Sequence, residues 1–136
     1  MKKVFIFLAL MLPNYGSSQS GISKEELYPI FSEFDGYQVL YKHDSIGYSF
    51  MYKNDDFQTI TQFEYIRFNN LDEVVDFFNI VLEVANKGIQ YNLDFNDQNY
   101  RIERHAAGVY VFPPTGYFSI RKNHVIRLLN FIGDEK

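Results

Sequence analysis

No cysteine and no tryptophan occur in the 136 residues, and proline appears only four times. The missing cysteine excludes a disulfide framework, a thiolate zinc site, a cysteine nucleophile and a lipid-anchored N-terminus. Long apolar runs are also scarce. The run at residues 4–12 has nine members, about half the ~20 that span a bilayer. Gly-x-Ser-x-Gly, His-Glu-x-x-His, the phosphate-binding P-loop and the dinucleotide fingerprint are absent, which removes the common motif-borne chemistries. Positive charge is in short supply, at 13 Lys+Arg against 17 Asp+Glu. What the chain does have is 46% hydrophobic residues with 14 Phe and 11 Tyr, a composition that packs and that fits neither collagen-like, coiled-coil nor disordered classes. A chain of this length is one ordinary domain, able to bury roughly two-thirds of its unfolded surface.

Lys2 and Lys3, the nine-residue apolar run and the stretch ending Gly16-Ser17-Ser18 follow the order of a secretory signal peptide, so residues 1–18 are read as an export leader. Cleavage after Ser18 starts the mature chain at Gln19; a second small-x-small site after Ser20 starts it at Gly21. Removing the leader takes two lysines and leaves eleven cations against seventeen anions, a net charge of −6. An acidic exported domain is a poor binder of nucleic-acid phosphates. The charge is uneven: residues 19–100 hold 5 Lys+Arg against 14 Asp+Glu, whereas residues 101–127 hold Arg101, Arg104, Arg121, Lys122 and Arg127 against Glu103 alone. The expectation is that the two halves lie against each other; a basic patch for an anionic ligand is the competing reading.

After a flexible leader at 19–22, residues 23–136 read as one α+β domain. Ser23 and Glu26 have capping-box spacing, and Leu27, Ile30, Phe31 and Phe34 recur at i, i+3, i+4, i+7, which predicts a first helix kinked at Pro29. From Tyr37 the period changes to two. A hairpin about Asp44-Ser45 then places Tyr41 opposite Tyr48, Val39 opposite Phe50 and Tyr37 opposite Tyr52, and residues 57–68 form a third strand with a bend. Asn70 as N-cap and Lys87-Gly88 as terminus predict a helix over 71–86. Its polar stripe (Asp72, Asp76, Asn79, Glu83, Asn86) is narrow and its apolar arc wide, so it has to be covered on more than one side. Two hairpins follow. One pairs Phe95 with Tyr100 and Asp94 with Arg101; the other pairs Val109 with Ile120 and Val111 with Phe118. A last helix runs from Lys122 to a stop at Gly133. Hairpin connections predict a mainly antiparallel sheet of six to seven strands, with a central helix and terminal helices packed on it in two layers.

Chemistry is thinly marked. His43, His105 and His124 stand apart, with no second ligand at metal spacing, and read as solvated or locally hydrogen-bonded. Asp94-x-Asn96-Asp97-x-Asn99 has calcium-loop alternation but lacks the glycine at its sixth position and has His105 at the twelfth, so it reads as a hairpin turn. Ser119-x-x-Lys122 matches an acyltransferase spacing without the partner motifs. The best remaining feature is Tyr110, Phe112 and Tyr117 beside Pro113-Pro114, an apolar platform for a ligand if that sheet face is open; the expectation is that a terminal helix covers it. The functional expectation is an exported, non-catalytic binding or protein-interaction module, periplasmic or secreted. It has no cofactor, no metal and no membrane span after cleavage, and it engages another exported protein or a small ligand. Its alternatives are a small hydrolase or lyase using His43, His105, Glu103 and Arg101, and an inhibitor or immunity-type partner of another exported protein.

Overall fold

The computed structural model describes residues 24–33, 37–56, 62–106 and 108–135. The export leader, the 19–22 segment, Ser23 of the expected capping box and residues 57–61 of the expected third strand lie outside the described residues. The first described element corrects the sequence reading, because the predicted helix is a strand. β1 (Leu27–Glu33) pairs antiparallel with β2 (Gln38–His43), with a register shift between Pro29 and Phe31. A proline inside a helix removes a hydrogen bond and clashes with the preceding turn, whereas at the bulge of an edge strand its missing N–H leaves no ladder bond broken.

β3 (Tyr48–Lys53) and β4 (Phe63–Phe68) complete a first antiparallel sheet in the order β1-β2-β3-β4. The β2–β3 connection spans Asp44 to Gly47 instead of a two-residue turn, closed by the His43 N–H on the Gly47 carbonyl at 3.0 Å. Gly47 sits at φ +105°, and a Cβ there would lie 2.7 Å from the Phe68 carbonyl oxygen. The longer turn shifts the register by one, so Leu40 pairs with Phe50 and Val39 with Met51. A one-residue slip exchanges the two faces of a strand. Leu40, not Val39, therefore joins Phe50 and Tyr52 in the core.

α1 (Leu71–Lys87) matches its prediction at both ends. The Asn70 side chain accepts from the Glu73 N–H at 2.9 Å, the Glu73 carboxylate accepts from the Asn69 N–H, and Gly88 is left-handed at φ 72° with its N–H on the Val84 carbonyl. β5 (Tyr91–Phe95), β6 (Gln98–His105), β7 (Gly108–Phe112) and β8 (Phe118–Ile120) then form a second antiparallel sheet in that order. The β5–β6 turn is the pair Asn96-Asp97, both at positive φ as a type I′ hairpin demands. It is two residues tighter than predicted, so Leu93 faces Tyr100, Phe95 faces Gln98, and Asp94 faces Asn99 in place of Arg101. The β7–β8 register is the predicted one. α2 (Lys122–Glu135) runs through Gly133 instead of stopping there.

The single sheet of six to seven strands is thus two sheets of four, and the described helices are two, not three. The element order repeats, with a four-stranded antiparallel meander followed by a helix occurring twice. Both sheets and α2 share one core around α1. Phe78 meets Phe50 of the first sheet at 4.9 Å, while Phe77 meets Phe68 at 5.6 Å and Tyr100 of the second sheet at 5.5 Å. The edge strand β8 does not stand free, since the Gln38 side-chain amide donates to the Ser119 carbonyl and the Asp55 N–H to the Tyr117 carbonyl. At the other side Phe31 of β1 meets Phe131 of α2, and Arg127 of α2 grips Glu33 through two bonds of 2.7 and 3.0 Å.

Phe78 is fully buried and Leu82 only partly so, which separates their roles. Phe78→Ala is expected to cost about 3–5 kcal/mol and Leu82→Ala about 2 kcal/mol or less in urea denaturation; equal costs would place α1 wrongly. The bonds from Arg127 hold the Glu33 carboxyl below its ordinary 4.5. A depressed carboxyl stabilises the fold above its unfolded-state pKa and loses that contribution as pH falls through the folded one. Glu33→Gln should therefore melt lower than the parent near neutral pH, and the gap should close as pH drops below 4.5. A gap that stays constant in melts across that range would show that the charge does not act.

Candidate functional site

On β6, β7 and the start of β8, alternate residues point away from α1. The ladder sets Arg101 opposite Phe112, Glu103 opposite Tyr110, and Tyr110 opposite Ser119. The inward set, Ile102, Val109, Val111, Phe118 and Ile120, is buried, while Tyr110, Phe112 and Tyr117 are half-buried. Neither described helix packs on the outward face, so among the described residues no helix covers these rings. The rings instead cover one another. His105 stacks on Tyr110 at 4.1 Å, Tyr110 on Tyr117 at 5.7 Å and Tyr117 on Phe112 at 5.4 Å, with planes within 30° of parallel. The Arg101 guanidinium lies 4.2 Å from the centre of the Phe112 ring. Glu103 closes the circuit by accepting from Arg101 Nε at 2.8 Å and pairing with His105 Nε2 at 3.0 Å. The His105 bond, with Arg101 beside it, holds the Glu103 carboxyl below its ordinary range, and burial pushes the Tyr117 phenol up.

Six side chains, five from β6 and β7 and Tyr117 just before β8, therefore form one closed array of stacked rings and polar groups. It unites the predicted ligand-binding residues Tyr110, Phe112 and Tyr117 with three of the four residues of the enzyme alternative, Arg101, Glu103 and His105. The fourth, His43, lies in the first sheet. The array is built on an open sheet face, and Glu103 is occupied by Arg101 and His105, so it offers an interaction surface more readily than an acid–base site.

His43 belongs to a second cluster. Nδ1 is 2.9 Å from Glu25 Oε1 and Nε2 is 2.6 Å from Ser49 Oγ, while Ser45 donates to the other Glu25 oxygen. In the Nδ1–H tautomer the ring donates to the carboxylate and accepts from the Ser49 hydroxyl. Serine, imidazole and carboxylate in this order resemble an acyl-transfer triad. Access decides otherwise: Ser49, second in the central strand β3, is 5% exposed with its Oγ held by His43, so an acyl carbon does not reach Oγ without the local packing opening. The cluster is a clip. It ties the segment before β1 to the β2–β3 turn, helped by the Asp44 N–H on the Glu26 carbonyl, and its bonds from Ser45 and His43 lower the Glu25 pKa. Sequence reading missed Glu25 and Ser49 because 18 and 6 residues separate them from His43 and no local spacing marks the meeting.

The calcium-like stretch is the β5–β6 hairpin, with the Asn99 amide donating to Asp94 at 3.0 Å. Among the described residues no three His, Cys, Asp or Glu side chains group to hold a metal ion. No protein-family model, curated protein or solved structure matches the chain. Function is therefore read from the surfaces themselves.

Ser49→Ala should lower stability by about 1–3 kcal/mol, because it strips a partner from a buried imidazole nitrogen. A serine-directed fluorophosphonate should leave parent and variant equally unlabelled. Labelling of the parent at Ser49 would return the cluster to catalysis.

Proposed function

We propose that the mature chain is an exported, non-catalytic binding module that engages another exported protein through the outward face of its second sheet. The observation that carries this reading is the array of Tyr110, Tyr117, Phe112, His105, Arg101 and Glu103, half-exposed on a face that neither described helix covers. Clusters of Tyr, Phe and Arg at a solvent boundary are the residue types that dominate protein interfaces. Because the ring faces are taken up by one another, a flat ligand finds little open face to stack on, whereas a polypeptide can use the ring edges, the phenol hydroxyls and the ions. Export rests on the leader at residues 1–18, and among the described residues no helix is long and apolar enough to cross a membrane. The hydrolase or lyase alternative loses its common site with His43 in the other sheet.

The test replaces Tyr110 and Tyr117 by Ser together. Truncating two half-buried, mutually stacked rings should cost about 1–3 kcal/mol in urea denaturation and leave the protein folded. Crosslinking of the mature parent in its own periplasm or medium, with the captured protein identified by mass spectrometry, should yield a partner that the double variant no longer retains. A partner retained equally by the variant would move the interface to another face.

A further inference from the structure

The second sheet carries one charged feature that its internal contacts leave open. Of the cations between 101 and 127, Arg101 is bound to Glu103 in its own strand, and Arg127 to Glu33 across the molecule. Arg104, Arg121 and Lys122 meet no carboxylate among the described residues. Electrostatic cancellation between the acidic and basic stretches thus reaches this end of the chain at Glu33 and stops there.

These three cations are brought together by one close backbone approach. A Cβ on Gly108 would sit 2.7 Å from the Ile120 carbonyl oxygen and 3.4 Å from Arg121 Cα, so only glycine lets the β6–β7 turn press against the junction of β8 and α2. That contact sets the end of β6, Arg104-His105, beside Arg121-Lys122. Two open clefts flank the turn and share His105, Ala106 and Gly108 as a common wall. One, of about 520 Å³, lies between Arg104, Lys122 and Ala85 at the end of α1; the other, of about 430 Å³, lies between Arg121, Ser119 and Tyr110. No Asp or Glu is among the described residues lining either. The guanidinium of Arg104 is held in place, packed over Gly88 with Nη1 3.5 Å from the Ala85 carbonyl. α2 begins without an acidic residue in its first turn.

We infer that this basic rim and the adjoining edge of the aromatic array bind an acidic, aromatic-containing polypeptide segment, with carboxylates on Arg104, Arg121 and Lys122 and an apolar side chain beside Tyr110. The inference rests on the binding-module reading and names its partner's chemistry. Charge complementarity chooses the occupant. The acidic body opposes any anion, and it opposes the dense phosphate charge of a nucleic acid more than the sparse carboxylates of a polypeptide segment. A compact oxyanion needs converging donors, but here the cations are spread over both sides of a turn. An extended chain with spaced carboxylates reaches both clefts, and the second cleft runs directly onto Tyr110 and its stack.

The experiment titrates the mature chain, residues 19–136, against a fluorescein-labelled peptide of alternating Glu and Phe, read by fluorescence anisotropy. A peptide with Gln for Glu is the neutral control, and pyrophosphate is the competitor. The Glu peptide should bind roughly tenfold or more tightly than the Gln peptide, with an affinity that falls as salt rises. Arg121→Glu with Lys122→Glu should weaken it by roughly tenfold or more, while Lys42→Glu in the first sheet leaves it unchanged. Glutamates at the start of α2 suit the helix dipole, so the double variant is expected to melt like the parent. Equal affinity for both peptides, equal loss with Lys42→Glu, or displacement by pyrophosphate at concentrations below that of the peptide would each overturn the inference. If the peptide fails to bind while a captured partner still depends on Tyr110 and Tyr117, only this inference falls. If capture is also independent of those tyrosines, the binding-module reading falls with it.

Discussion

The covering of α1 is the constraint from which the rest of the architecture follows. Its polar residues occupy one stripe, and Leu71, Val74, Val75, Phe77, Phe78, Ile80, Val81, Leu82, Val84 and Ala85 fill the remaining circumference. A single sheet can shield only one side of such a helix, because the apolar stripe a sheet accepts is about a third of a turn wide. Two meanders and a second helix supply the missing sides. Of the adjacent rings, Phe78 packs against Phe50 and Phe68 of the first sheet, while Phe77 bridges the two sheets, meeting Phe68 of the first and Tyr100 and Phe95 of the second. The core is consequently aromatic, with tilted and edge-on contacts that fix relative orientation as well as burying area.

With the inner face of the second sheet committed to α1, neither described helix covers its outer face. Tyr, Phe, His and Arg on that face resolve the exposure by stacking across strands, and Glu103 pairs with Arg101 and His105 at the ends of the row. The same arrangement stabilises the sheet and leaves ring edges and phenol hydroxyls at the surface. These six residues therefore carry the cross-strand packing of that face.

What was legible in the sequence was whatever local chemistry specifies. Asn70 and Gly88 marked α1 because caps act within four residues, and Val109, Val111, Phe118 and Ile120 gave the β7–β8 register because one face of that hairpin is cleanly apolar. The register of β2 and β3 was not legible, since both faces carry apolar residues: Leu40 and Phe50 on one, Val39 and Met51 on the other. The turn length that breaks the tie depends on Gly47 meeting Phe68, more than twenty residues away. β1 was mistaken for a helix because its apolar positions satisfy a 3.6-residue period as well as a ladder, and only pairing with β2 decides between them. Of the candidate site, the aromatic trio could be named from alternation alone. Its union with Arg101, Glu103 and His105 required the ladder, and the Glu25–His43–Ser49 clip required the fold.

Three carboxylates show how the chain sorts its charges. Glu25 serves His43 and Ser45, Glu33 serves Arg127 with His124 at 3.7 Å, and Glu103 serves Arg101 and His105. Each binds two partners; Glu25 ties a leading segment to a turn and Glu33 ties β1 to α2, whereas Glu103 bridges Arg101 and His105 within β6. Carboxylates used twice are efficient as cross-links, and with 17 Asp+Glu against 13 Lys+Arg they are not scarce. The cations at the β6–β7 turn are left outside this scheme even though anions outnumber them. In an acidic molecule, surplus positive charge gathered at one rim beside an open aromatic edge costs mutual repulsion that a single nearby glutamate would relieve. Arg104 offsets part of that cost by lying over the C-terminal end of α1, with Nη1 3.5 Å from the Ala85 carbonyl.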